Sequence, residues 1–296
     1  VKKDWFIYQA SRLLSAFLAL LPFPLVFGIA RQAGNLCYLI MPERRKIALD
    51  NIQAALKDTL SLREQKKLAR ISFQNISLSI VELFLIRKIR KQAHRLFRWN
   101  GREKFDEAFR KGKGIILTVS HAGSWELLGI LPYLTPHPVS VVVKLIRNPY
   151  LNDRINDLRR EMKLVPIPKM GAARDVLRRL KNNECVGILI DQWAGAEGVW
   201  VDFFGRGTST TTLPARLAKK TGCQLLPAYC LRDPGGFYTL QMDEPVEFPA
   251  DDHPNWEAEV TQTLSLRLES QIRKRPEQWM WTHRRWKPKP HTLREI

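Results

Sequence analysis

The hydrophobic positions change period along the chain, and those changes mark out its elements. From Leu13 to Ala30 apolar residues run almost unbroken, interrupted by Ser15, Pro22, Pro24 and Gly28 and flanked by Arg12 and Arg31. That length approaches the ~20 residues that cross a bilayer core. Pro22 and Pro24 would break a straight helix. Residues 1–42 are therefore expected to form an N-terminal membrane anchor, spanning or half-inserted. An apolar hairpin against the membrane and a buried core helix are the alternatives. A cleaved signal peptide fits less well, because Cys37 to Met41 continue the apolar run without a cleavage site.

Beyond Pro42 the spacing becomes helical. Ile47, Ala48, Ile52, Ala55 and Leu56 mark one helix, and Leu68, Ile71, Phe73, Ile76, Ile80, Leu83 and Phe84 a second from Leu62 to Ile86. Short β-branched or continuous apolar runs then alternate with helical patterns. Strands are predicted at Leu96–Trp99, Gly114–Val119, Val139–Val143, Val165–Ile167, Cys185–Ile190, Gln224–Leu231 and Phe237–Met242. Helices are predicted at Lys104–Arg110, after Ser124, after Asn148-Pro149, at Ala172–Leu180, Thr211–Thr221 and Trp256–Lys274. The alternation predicts one α/β domain over residues 43–296, a mixed sheet covered by helices.

Composition adds a partner class. The 296 residues carry a formal charge of +19, which calls for an anionic partner. Neither zinc-ligand spacing nor an RNA-binding aromatic signature nor a basic heptad region is present, which disfavours nucleic acid. A membrane surface or lipid phosphate fits better, and the basic run Arg87-Lys88-Ile89-Arg90-Lys91 suits acidic headgroups or an acidic carrier protein. Cys37, Cys185, Cys223 and Cys230 form no Cys-x-x-Cys motif and read as small apolar filler in a reducing compartment.

The candidate chemistry centres on residues 113–130. His121 follows the buried strand and precedes a helix start, at the sheet edge where α/β proteins bind ligands. Glu126 lies five residues on. On a continuous helix that spacing leaves two side chains about 140° apart, but the intervening turn lets His121 fold back. A carboxylate on one ring nitrogen would fix the tautomer, and the other nitrogen would take a proton from a substrate hydroxyl. Asp191-Gln192 ends another strand. Asp191 could hold a basic site residue or a sugar hydroxyl, or serve turn chemistry alone. Phe203-Phe204-Gly205 and the following threonines read as a loop entering a helix N-terminus. There Thr211 could hold a phosphate or sugar, or simply cap the helix. Arg284 and Arg285, beside Trp281 and His283, could grip lipid phosphate, or belong to a chain end lying on the membrane.

Four blocks together resemble the bacterial lipid A biosynthesis acyltransferases. They are His121-Ala-Gly-Ser-Trp-Glu126, with Ser124 where that family usually has Asn; Asn148-Pro149 followed by Arg159; Asp191-Gln192 with Phe203-Phe204-Gly205-Arg206, Thr210-Thr211-Thr212 and Pro214 to Ala218, with Leu213 where Gly is common; and Pro276 to Lys287. The resemblance implies a glycerolphosphate-acyltransferase-like fold and an anchor in the bacterial inner membrane with a cytoplasmic site. It also implies a donor acyl thioester on acyl carrier protein or coenzyme A, a phosphorylated glycolipid acceptor, and no metal or redox cofactor. It casts His121 as base, Glu126 as its orienting partner and Arg159 as oxyanion donor, with Arg160 in reserve. Asn148, Asp191, Gln192, Arg206, Thr211, Arg284 and Arg285 are the implied substrate-binding residues. The same family includes enzymes that acylate mycobacterial phosphatidylinositol mannosides. A glycerolipid acyltransferase would show His-x4-Asp instead, and a non-catalytic basic membrane-binding protein would be indifferent to loss of His121.

Overall fold

The chain is described here by a computed structural model covering residues 2–250 and 253–288. The end of the expected domain, residues 289–296, lies outside the described part. Four helices come first: α1 (Lys2–Leu20), α2 (Phe23–Ile40), α3 (Pro42–Leu56) and α4 (Leu62–Phe84). Ser61 and Glu64 close a reciprocal capping box at the start of α4, each satisfying the other's backbone N–H. Short helices α5 (Ile86–Arg90) and α6 (Ala93–Leu96) lead into β1 (Phe97–Asn100), α7 (Arg102–Arg110) and β2 (Ile115–Val119). A 3₁₀ turn (Trp125–Ile130) and α8 (Leu131–Leu134) precede β3 (Val139–Val143), α9 (Pro149–Glu161), β4 (Leu164–Pro168), α10 (Ala172–Lys181) and β5 (Cys185–Leu189). The hairpin β6 (Val199–Asp202) and β7 (Gly207–Thr210) follows, then α11 (Leu213–Thr221), β8 (Gln224–Arg232), β9 (Tyr238–Met242) and α12 (Trp256–Lys274).

Seven strands form one sheet in the order β1-β9-β8-β2-β5-β3-β4. Five of them, β8 to β4, run parallel, and β9 turns back antiparallel to β8 with β1 alongside it. The mixed sheet covered by helices is thus as expected. Because side chains alternate along a strand, β2 divides its residues between two cores. Ile115, Leu117 and Val119 pack with α7, α8 and α9, whereas Ile116 joins Val186 and Ile188 against α10, α11 and α12. A third core joins α3 and α4 to Tyr229, Leu231, Phe203, Trp279 and Trp281.

The spanning anchor is not found. Among the described residues no helix is long and apolar enough to cross a membrane. Leu21 and Pro22 split the apolar run into two helices, and Pro22 takes an extended conformation at the break. α2 instead packs along α4 so closely that a Cβ on Gly34 would lie 2.5 Å from the Cα of Gln74. α1 docks on α9, where Tyr8 stacks on Tyr150 and the Asn148 amide donates to the Asp4 carbonyl. Both helices still present exposed apolar side chains, among them Phe6, Leu13, Phe17, Leu20, Leu36 and Leu39. The threonines after Phe203-Phe204-Gly205, expected in a loop entering a helix, instead complete β7 of the β6–β7 hairpin through Thr210. The hairpin's turn buries Phe203 and Phe204 rather than opening them to a ligand.

Candidate active site

Parallel pairing creates the central contact. β2 and β5 are adjacent, with Val119 opposite Leu189. Two residues beyond each, His121 and Asp191 leave neighbouring strand ends side by side. His121 Nδ1 and Asp191 Oδ1 are 2.8 Å apart, and the His121 backbone N–H donates to Asp191 Oδ2 at 2.8 Å. Trp279 Nε1 donates to the same Oδ2 at 2.9 Å. With Nδ1–H on the carboxylate, Nε2 is left as the acceptor, and the amide nitrogen of Gln192 lies 3.4 Å from it. Burial alone would depress the imidazole's pKa and raise that of Asp191. The mutual charge and hydrogen bond outweigh it, with Glu126 adding to the field on His121. The net result is a histidine raised above its ordinary 6.5 and an aspartate lowered to about 2.

The expected histidine–Glu126 contact is replaced. Glu126 accepts from Arg159 with both oxygens, Nη2 to Oε1 at 2.6 Å and Nε to Oε2 at 3.1 Å, and Arg159 Nη1 reaches Asn156. Both side chains line the same cavity as His121. Ser124, expected to cap a helix, makes no cap bond. Its hydroxyl donates to Glu82 Oε2 at 2.6 Å. Glu82 also takes the Arg232 guanidinium at 2.6 Å and the Tyr238 hydroxyl at 3.0 Å.

That buried cluster lies beneath the His121 loop and was missed in the sequence. The available signal was a lone acidic residue, Glu82, inside an apolar helix stretch. Arg232 also reaches the Gly123 carbonyl. Gly123 and Ser124 donate to the backbone of Gln278 and Cys230, and Met280 donates to the His121 carbonyl. Gly123 has φ +61°, and a Cβ there would fall 2.1 Å from the Cys230 carbonyl oxygen, so only glycine fits. The Pro276–Lys287 block thereby holds the His121 loop in place.

The remaining expectations divide. Gln192 and Thr211 line the cavity, as do His283 and Lys287. Burial pushes the His283 imidazole down to about 4, so it stays neutral. Arg285 is not available to a ligand. It is 1% exposed and donates to the carbonyls of Gln192 and Ser209 and to the Thr210 hydroxyl. Arg284 is exposed and Arg206 lies over the Trp286 ring, both off the cavity wall. Asn148 caps α9, accepting from Leu151 N–H at 3.1 Å. All four cysteines are free, and Cys185, Cys223 and Cys230 are buried.

The cavity holds about 560 Å³. Exposed Lys144, Lys169 and Lys287 and the largely buried Arg159 contribute to its lining. Apolar side chains make up much of the rest, with Leu117, Val119, Val139, Val141, Val143, Leu164 and Leu189 from the sheet and Leu128 and Leu131 from the segment after His121.

Exposed lysines, a histidine paired to a buried aspartate and a cavity walled largely by apolar side chains, at the strand ends of a mixed sheet, make this an α/β protein with a built ligand site. The chain belongs to the bacterial lipid A biosynthesis acyltransferase family, whose profile matches residues 3–288. It is 30% identical over 205 residues to the phosphatidylinositol mannoside acyltransferase of Mycobacterium tuberculosis, covering 68% of this chain and 62% of that protein, less than two thirds of its length. It is 26% identical over 278 residues to the lipid A biosynthesis lauroyltransferase of Escherichia coli, covering 91% of this chain and 88% of that one. The palmitoleoyltransferase of the same organism is 23% identical over 279 residues.

Proposed function

We propose that this protein is an O-acyltransferase that moves a fatty acyl chain from a thioester, on acyl carrier protein or coenzyme A, to a hydroxyl of a phosphorylated glycolipid. The reading rests on one observation above all: His121, its Nε2 freed by the Asp191 contact on the other nitrogen, lines a cavity whose wall is rich in apolar side chains. Nε2 takes the acceptor's hydroxyl proton as the oxygen attacks the thioester carbonyl. Negative charge gathers on the carbonyl oxygen, and Arg159, held rigid by Glu126, is placed on the cavity wall to stabilise it. Collapse expels the thiolate, which recovers the proton from the imidazolium. Asp191 thus takes the orienting role first expected of Glu126. The exposed Lys144, Lys169 and Lys287 of the lining suit phosphate on the acceptor or donor.

The near relatives divide between lipid A precursors and phosphatidylinositol mannosides. The lipid A type of acceptor is favoured by the matches that run along nine tenths of the chain. The exposed apolar faces of α1 and α2, with Lys2, Lys3, Arg12 and Arg31, suit a helical pair lying in the headgroup region of an anionic membrane. In this reading that membrane is the bacterial inner membrane and the site faces the cytoplasm. Mass spectrometry of lipids from cells with and without the gene tests the proposal. One glycolipid should lose the mass of one acyl chain, and His121→Ala should not restore it. Full restoration by His121→Ala would refute the mechanism.

A further inference from the structure

The sheet wall of the cavity has one gap. Leu117, Gly187 and Val141 stand opposite one another on three neighbouring parallel strands, β2, β5 and β3. Residues so paired point to the same face of the sheet, here the face beneath the cavity. The rung nearer His121 contains Val119 and Leu189, and the rung farther away Ile115, Cys185 and Val139. Only the middle rung lacks a side chain at its centre.

A Cβ added at Gly187 would meet nothing closer than 3.7 Å, and its backbone is not left-handed, so an alanine there is accommodated without strain. Gly129, also on the cavity wall, is different: a Cβ there would lie 2.8 Å from the methyl of Met162, which already fills its space. The opening is therefore particular to Gly187.

We propose that Gly187 sets the length of fatty chain that the cavity accepts, a specificity role that rests on reading the cavity as the acyl site. Gly187 pairs with Leu117, four residues before His121 on the same strand. At ~3.3 Å per residue that places the Gly187 rung about 13 Å along the strand from the His121 backbone. A hydrocarbon chain with bonds of ~1.5 Å at ~111° advances about 1.25 Å per carbon, so its tenth carbon or so crosses the Gly187 rung. The cavity continues past that rung to Val139, about 6–7 Å and roughly five carbons farther. A side chain at position 187 would stand in the path of every chain longer than about ten carbons.

The test compares the wild type with Gly187→Ala and Gly187→Val. Donors are octanoyl, decanoyl, lauroyl, myristoyl and palmitoyl thioesters in competition, the acceptor is an acylated, phosphorylated glucosamine disaccharide, and products are resolved by mass. In parallel, the free fatty acids of the same lengths are scored by thermal shift. Gly187→Val should keep decanoyl transfer and lower myristoyl transfer relative to decanoyl by on the order of 100-fold, since about four methylenes lose their burial. Gly187→Ala should fall between. An unchanged length profile, or an equal loss at all lengths in a folded variant, overturns the proposal. If Gly187→Val does not fold, Gly187→Ala carries the same comparison. A wild type that transfers nothing yet binds long fatty acids, with that length preference shortened by the variants, refutes the acyltransferase reading and supports the role of Gly187. Absence of any chain-length-dependent binding and transfer overturns both.

Discussion

Replacing Asp191 by Asn separates orientation from charge at His121, the proposed base. The wild-type carboxylate accepts three N–H bonds: His121 Nδ1–H on one oxygen, the His121 backbone and Trp279 on the other. Asn has a single acceptor oxygen. Keeping that oxygen on the backbone and Trp279 donors costs least, and it turns the amide nitrogen toward His121 Nδ1. Nδ1 must then accept, so the ring proton moves to Nε2 and the base is lost. A comparable tautomer reversal in a histidine-based site lowers kcat about 10⁴-fold.

The lost charge has its own size. Lowering Asp191 from 3.8 to about 2 corresponds to roughly 2 kcal/mol of stabilisation, at about 1.36 kcal/mol per pH unit. The assay is single-turnover acyl transfer over about pH 5 to 9. Wild-type activity should fall as pH drops through a histidine value above 6.5, the direction set by Asp191. Asp191→Asn should be nearly inactive at every pH, because the wrong tautomer is held by geometry. If it instead kept activity within about tenfold while its acid limb moved to lower pH, charge alone would matter and the orienting argument would be wrong.

Three further outcomes follow from the same contacts. Asp191 stabilises the fold fully above its unfolded value of 3.8, and that contribution fades as pH falls toward 2, so Asp191→Asn should flatten this part of the acid-unfolding curve followed by circular dichroism. Glu82→Ala strands a buried Arg232 and should cost about 3–5 kcal/mol in urea unfolding, whereas a paired Glu82→Leu/Arg232→Met replacement should recover only part of it, because the Ser124 and Tyr238 hydroxyls and the Gly123 carbonyl lose their partners. Arg285→Ala should lower Tm sharply, since its guanidinium holds buried carbonyls, while Arg284→Ala should leave Tm unchanged and only weaken salt-sensitive binding to anionic vesicles.

Much of this protein could be read from its residues one at a time. Strand periods, the β-branched run before His121, the Asn148-Pro149 helix start and the Trp256–Lys274 helix all lie where local pattern placed them, because each depends on neighbours within a few positions. His121 at a strand end and Asp191 at another were equally visible. What local pattern could not supply was register. Whether Glu126 or Asp191 meets the imidazole depends on β5 pairing beside β2, with the partners 70 positions apart in the chain, and on Arg159 arriving from α9 to claim Glu126. The same holds for Arg285, which the sequence shows only as a cation near tryptophans. Its burial follows from the β6–β7 hairpin closing over it, a long-range contact that side-chain chemistry alone does not encode.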